Sequence, residues 1–221
     1  MTRSYIYLAD SWEEADARFD RLMAVLPERR EQLRARLAET GGPELDGTRG
    51  SLREANEWFI RVAFEGEPDG MDWFPEWLPA RREVTPPDGE RPVPLPIYRL
   101  WELLGIYIGD VMVSEVPGSR WVCWRSKYPR AGENGCPVID FGVRTICFDA
   151  LSAANGGVIR SYRYHGYGGE FDGAADPGAY EDIFDRWLRF RAENLEREGR
   201  ESWQKEPTGP GARKRVRTRT W

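Results

Sequence analysis

Histidine occurs once in the 221 residues, at His165, and that single count decides which chemistry the chain can hold. It excludes the HExxH zinc motif and any multi-histidine metal centre, and it forces any Ser-His-Asp or Cys-His triad to use this one residue. Three cysteines, Cys123, Cys136 and Cys147, show no CxxC spacing. A reactive thiol needs a neighbour that lowers its pKa, and nothing local to Cys123 or Cys147 supplies one. All three read as reduced, partly buried apolar residues. The acids Glu170, Asp172, Asp176, Glu181, Asp182 and Asp185 do not follow the alternate-position pattern of a calcium loop. Asp176-Pro177 reads instead as a helix cap, with Glu181 and Asp182 as first-turn acids favoured by the helix dipole. The glycines from Gly166 to Gly173 lack the GxGxxG spacing. No catalytic residue, metal ligand or cofactor is therefore assigned, and the chain reads as a non-enzyme.

The sharpest charged feature is the C-terminal segment, where Arg213, Lys214, Arg215, Arg217 and Arg219 occur with no acid among the last eleven residues. Extended, the four arginines project to one side as a ladder of guanidinium groups able to bridge phosphates or carboxylates. Nucleic acid is the functional reading of that ladder. A solvated tail, or a strand laid against the protein's own acids, are the plain ones. Removing those five positive charges from the overall −5 leaves the other residues at −10, so an acidic body carries a basic tail. Tryptophan is abundant at ten residues, and several lie in irregular sequence at Trp73-Phe74-Pro75-Glu76-Trp77. Rings there either pack a loop onto the core or form a partner-binding patch, with Trp73, Phe74 and Trp77 as anchors and Asp72 and Glu76 at the rim.

The elements that would position these groups follow from periodicity. Ser11 with Glu14 makes a capping box for a helix carrying Trp12, Ala15, Phe19, Leu22, Met23 and Leu26. Pro27 should stop or kink it and can open a second, highly charged surface helix over 28–39, ended by Gly41-Gly42-Pro43. Ser51 and Glu54 form another capping box before Leu52, Ala55, Phe59, Val62 and Ala63. A long Pro-rich connection fills 66–96. Ile97, Leu100, Trp101, Leu104, Tyr107, Ile108 and Val111 then mark one face of a central amphipathic helix. Three short runs, 120–124, 137–141 and 144–148, read as strands of a small antiparallel sheet, and Tyr5 to Leu8 as another strand. A final helix starts near Ala179.

The expected fold is α+β: N-terminal helices and the central helix packed on the sheet, closed by the C-terminal helix. One domain is expected over 1–200, with a basic tail over 201–221. The longest apolar stretch, 97–113, is interrupted by Arg99, Glu102 and Asp110, so no membrane span is expected. The N-terminus lacks a long apolar segment and a small-residue cleavage site, so the expected location is cytoplasmic.

Two segments carry a resemblance. Thr40-Gly41-Gly42-Pro43-Glu44-Leu45-Asp46 leads into Ser51-Leu52 and Trp58-Phe59, and Tyr107-Ile108-Gly109-Asp110-Val111 precedes Trp121 and Pro137-Val138-Ile139-Asp140. This layout, over about residues 40–150, resembles small cytosolic accessory proteins of high-GC actinobacteria. Its helix–meander order is similar to immunity proteins of bacterial toxin systems. The resemblance implies a compact, acidic, non-catalytic protein that masks a toxin's active site, with a basic protein as partner. The basic tail departs from that picture, and a nucleic-acid-associated accessory protein is the alternative it suggests.

Overall fold

The computed structural model describes residues 9, 11–65, 73, 75, 95–126, 133–144, 146–154 and 176–204. Among these, five helices and a two-stranded antiparallel sheet make an α+β fold. The centre is α3 (Leu95–Glu115). Its sequence marks one apolar face, yet residues all round it are buried, as a helix enclosed by neighbours on every side requires. Two glycines on one side let those neighbours approach. A Cβ at Gly105 would lie 2.9 Å from the Leu151 Cα, and one at Gly109 would lie 2.1 Å from Cζ2 of Trp121. Gly109 is thus a mid-helix point of close approach.

The first helix, α1 (Trp12–Glu39), runs unbroken through Pro27. The sequence suggests a stop or kink there, because proline removes one helical hydrogen bond and its ring crowds the preceding turn, at a cost of about 3 kcal/mol. Burial on both sides of Pro27 offsets that cost. Leu22 and Leu26 pack with Ile106 and Leu151, while Leu33 and Leu37 join the main core. The expected separate helix over 28–39 is accordingly the second half of α1, which buries Arg29, Leu33, Arg36 and Leu37 and keeps its charged side on the surface. At its N-terminus the Ser11 hydroxyl accepts from Glu14 N–H at 3.2 Å, as the capping pattern predicts. Thr40 closes the far end, and Gly41 takes a positive φ of 61°.

α2 (Ser51–Glu65) buries Leu52, Ala55, Trp58, Phe59, Val62 and Ala63. Ser51 is the first helical residue and not the cap. Its hydroxyl donates back to the Thr48 carbonyl at 2.7 Å. Strands β1 (Arg120–Cys123) and β2 (Pro137–Asp140) pair with Trp121 opposite Ile139 and Val122 opposite Val138. Among its described residues the third run gives one bridge, Ile139 to Phe148, and no strand. Directly after it Asp149 caps α4 (Ala150–Ala153), accepting from Ser152 N–H at 2.9 Å, so the ladder does not extend beyond Phe148.

α5 (Ala179–Gln204) closes the core with Tyr180 and Phe184, and extends four residues past the expected tail boundary. Asp176 does not cap it directly. Its side chain accepts from Gly178 N–H at 2.8 Å and its carbonyl from Ala179 N–H at 2.9 Å, forming the turn that feeds the helix. No described helix is long and apolar enough to cross a membrane.

Candidate functional site

A cleft of about 680 Å3 opens between α1, the 42–47 loop and α3. Leu33 and Leu37 from α1 and Leu103 and Ile106 from α3 make its apolar floor. They share one floor because i, i+4 on α1 and i, i+3 on α3 bring each pair onto one helix side. Ala38, exposed, stands at the rim.

The polar boundary is built from two segments distant in sequence. Arg30 Nε and Nη2 each donate to Asp110 at 2.8 Å, a fork-on-carboxylate pair that ties α1 to α3. Tyr107 supplies one wall, and its hydroxyl is locked into the loop. Gly47 N–H donates to it at 3.1 Å, and it meets the Ser51 hydroxyl in a short hydrogen bond. Since Ser51 Oγ donates to Thr48, the proton order runs from Gly47 through Tyr107 and Ser51 to the Thr48 carbonyl. Burial pushes the Tyr107 phenol above its ordinary pKa, so it is neutral at physiological pH. Asp46 accepts from Thr48 Oγ1 at 2.7 Å and Thr48 N–H at 2.8 Å, and these bonds hold its carboxyl below the usual carboxylate range. Glu44 lies beside it on the exposed loop. Among the described residues no cation pairs with Glu44 or Asp46.

An apolar floor within the size range of small-ligand clefts, bounded by carboxylates and one neutralised ion pair, is suited to binding. Among the described residues that line it, none is a nucleophile with an activating base.

Of the residues expected to carry function, Trp73 is described and is not part of the cleft lining. Trp73 is half-buried and packs against the core. Its ring lies under the Arg29 guanidinium, 3.6 Å from carbon to ring centre, and its carbonyl accepts from Arg99 Nε at 2.6 Å. Asp72, Phe74, Glu76 and Trp77 lie outside the described residues, as do Arg213, Lys214, Arg215, Arg217, Arg219 and His165. Cys136 and Cys147 are buried, and burial pushes both thiols well up. Cys123 is pushed up to about 11 by burial and by Asp16. Asp185 is held bidentately by Arg49 at 2.7 and 2.5 Å, and Glu181 sits 3.8 Å from Arg53. Among the described residues no group of three or more His, Cys, Asp or Glu is placed to hold a metal ion.

Sequence reasoning missed the cleft. Arg30, Leu33 and Leu37 read as part of a charged surface helix, and Tyr107 as core. The 42–47 loop and the Tyr107–Asp110 turn of α3, distant in sequence, meet here. The chain matches no protein-family model, no curated protein and no solved structure.

Proposed function

We propose that this is a non-catalytic protein-binding protein of the immunity type, which neutralises a basic protein partner by contact. The observation that carries the reading is the cleft, whose lining joins an apolar floor to Glu44 and Asp46, carboxylates with no cation partner among the described residues. An apolar anchor supplies affinity in such an arrangement, and surrounding acids speed association with a cationic partner. The charge of the body, −10 without its tail segment, acts in the same direction at longer range. The raised thiols agree with it, because a protonated buried cysteine is a poor nucleophile.

The test is affinity capture from a lysate of the source organism, with and without nuclease, using the full chain, a chain lacking 211–221, and a Glu44→Lys, Asp46→Asn variant. Asn at position 46 keeps the acceptor for Thr48. The reading expects one basic protein, held by the first two forms regardless of nuclease and released by the third. Co-expression with that protein should also relieve its toxicity. Retention that vanishes with nuclease or with the tail would transfer the function to nucleic acid, through Arg213, Lys214, Arg215, Arg217 and Arg219.

A further inference from the structure

We infer that the cleft between α1 and α3 takes an extended partner segment presenting an apolar side chain next to a lysine or arginine. This rests on the protein-binding reading and specifies its recognition chemistry. The apolar side chain would meet Leu33, Leu37, Leu103 and Ile106, with Leu45 and Tyr107 beside them. The cation is directed by charge complementarity. Arg30 is neutralised by Asp110 through two bonds of 2.8 Å, and Arg34 hydrogen-bonds Glu31 on the same helix. The lining therefore carries Arg30 and Arg34 against Asp110, Glu44 and Asp46, an acidic balance in which Glu44 and Asp46 are the acids with no cation partner among the described residues.

Asp46 stays ionised because Thr48 donates two hydrogen bonds to it, and the loop that carries both acids is fastened to α3 through Gly47 and Tyr107. A fixed carboxylate beside an apolar floor costs little reorganisation on binding, which favours recognition by a preformed site. The same carboxylates repel phosphate, so nucleotides and phospholipid headgroups are selected against. The Arg30–Asp110 pair also lines the cleft. A partner acid there would face a guanidinium already engaged, whereas a partner base at Glu44 meets open charge.

The experiment is a backbone-amide NMR titration of the full chain with three blocked tripeptides: acetyl-Leu-Arg-Leu-amide, acetyl-Leu-Glu-Leu-amide and acetyl-Gly-Arg-Gly-amide. The first should shift the amides of Gly47, Leu103 and Tyr107 and bind about tenfold more tightly than either of the others. Free arginine amide is a fourth arm. Binding as tight as that of the first peptide would make the occupant a small amine and overturn the segment reading. Ala38→Trp fills the rim from an exposed helical position, and should abolish the shifts while leaving the unfolding midpoint in place. Should Ala38→Trp unfold the chain, Glu44→Lys serves instead and should erase the preference for the Arg peptide.

Equal affinity for all three tripeptides, or shifts confined to residues outside the cleft, overturns the inference. Its failure is separable from that of the broader reading. A basic protein captured equally by wild type and Ala38→Trp would leave protein binding standing and place it on another surface.

Discussion

Arg29 donates through Nε to the Glu102 carboxylate at 3.1 Å, and the two side chains, 4% and 0% exposed, join residues 73 positions apart in the middle of the α1–α3 interface. The same guanidinium covers the Trp73 ring and hydrogen-bonds Gln32 at 3.1 Å. One arginine thereby fastens Trp73 and α3 to the part of α1 that follows Pro27. Breaking a buried pair by removing one member costs about 3–5 kcal/mol, because the remaining charge stays desolvated. Arg29→Met should therefore lower the midpoint of urea unfolding strongly. Arg29→Met combined with Glu102→Leu should recover most of that loss. A double variant as unstable as the single one would show that the cost lies in lost packing on Trp73 and not in a stranded carboxylate.

Gly109→Ala sets two effects of opposite sign against each other. Alanine is about 1 kcal/mol better than glycine in a helix interior. Its Cβ, however, would sit 2.1 Å from Trp121 Cζ2, within a ring packed between α3 and the sheet. Overpacking of that kind costs about 1–3 kcal/mol, so the substitution should destabilise. Trp121→Leu should be tolerated better in the Gly109→Ala background than alone, which a double-mutant cycle on unfolding free energies reads directly.

Both relationships mark where sequence stopped being informative. The helix stripes at 52–63 and 97–111, the Ser11 cap and the two strands were legible, because each follows from local spacing. The passage of α1 through Pro27 was not, since what holds it, Arg29 on Glu102 and Arg30 on Asp110, joins positions 73 and 80 apart. A buried arginine in a run of charges looks like any surface arginine until its partner is placed. The third expected strand reduces, among the described residues, to the Ile139–Phe148 bridge, and Asp149, capping α4 directly after Phe148, stops the ladder on that side. The cleft was hidden because its floor residues each read as ordinary core.

Asp149 predicts a pH dependence. Burial raises its carboxyl above the ordinary range, more than the hydrogen bonds from Ser152 lower it. With the folded pKa above the unfolded one, this group's stabilising contribution is complete below the unfolded pKa and is lost as pH rises through the folded value. Asp149→Asn keeps an acceptor for the Ser152 N–H and carries no charge. It should raise the unfolding midpoint at about pH 7.5 relative to wild type, with the advantage shrinking toward about pH 4. Thermal melts at the two pH values check the sign. A variant less stable at both would show that the charged cap outweighs its desolvation.

The cysteines should react slowly in the native state. With the Cys123 thiol pushed up to about 11, only about one molecule in ten thousand is thiolate at neutral pH. Cys136 and Cys147 are buried and raised further. An aromatic disulfide reagent should label Cys123 first and the other two only after denaturant is added. Rapid native labelling of any one of them would reopen an enzyme reading based on thiol chemistry.

Tyr107 couples the cleft to the fold through a single oxygen. Tyr107→Phe leaves the ring on the wall but strips the acceptor from Gly47 N–H and the partner from the Ser51 hydroxyl. An unsatisfied, partly buried donor costs about 1–3 kcal/mol, and here the loss falls on the 42–47 loop more than on α3, which keeps its apolar packing. Amide exchange should therefore quicken at Gly47 and Thr48 while Leu103 and Ile106 stay protected. Since Glu44 and Asp46 ride on that loop, the Arg-bearing tripeptide should bind more weakly to Tyr107→Phe although neither carboxylate has changed. Unaltered exchange at Gly47 would mean that the loop is held by its own Asp46–Thr48 turn and that the tyrosine hydroxyl positions nothing.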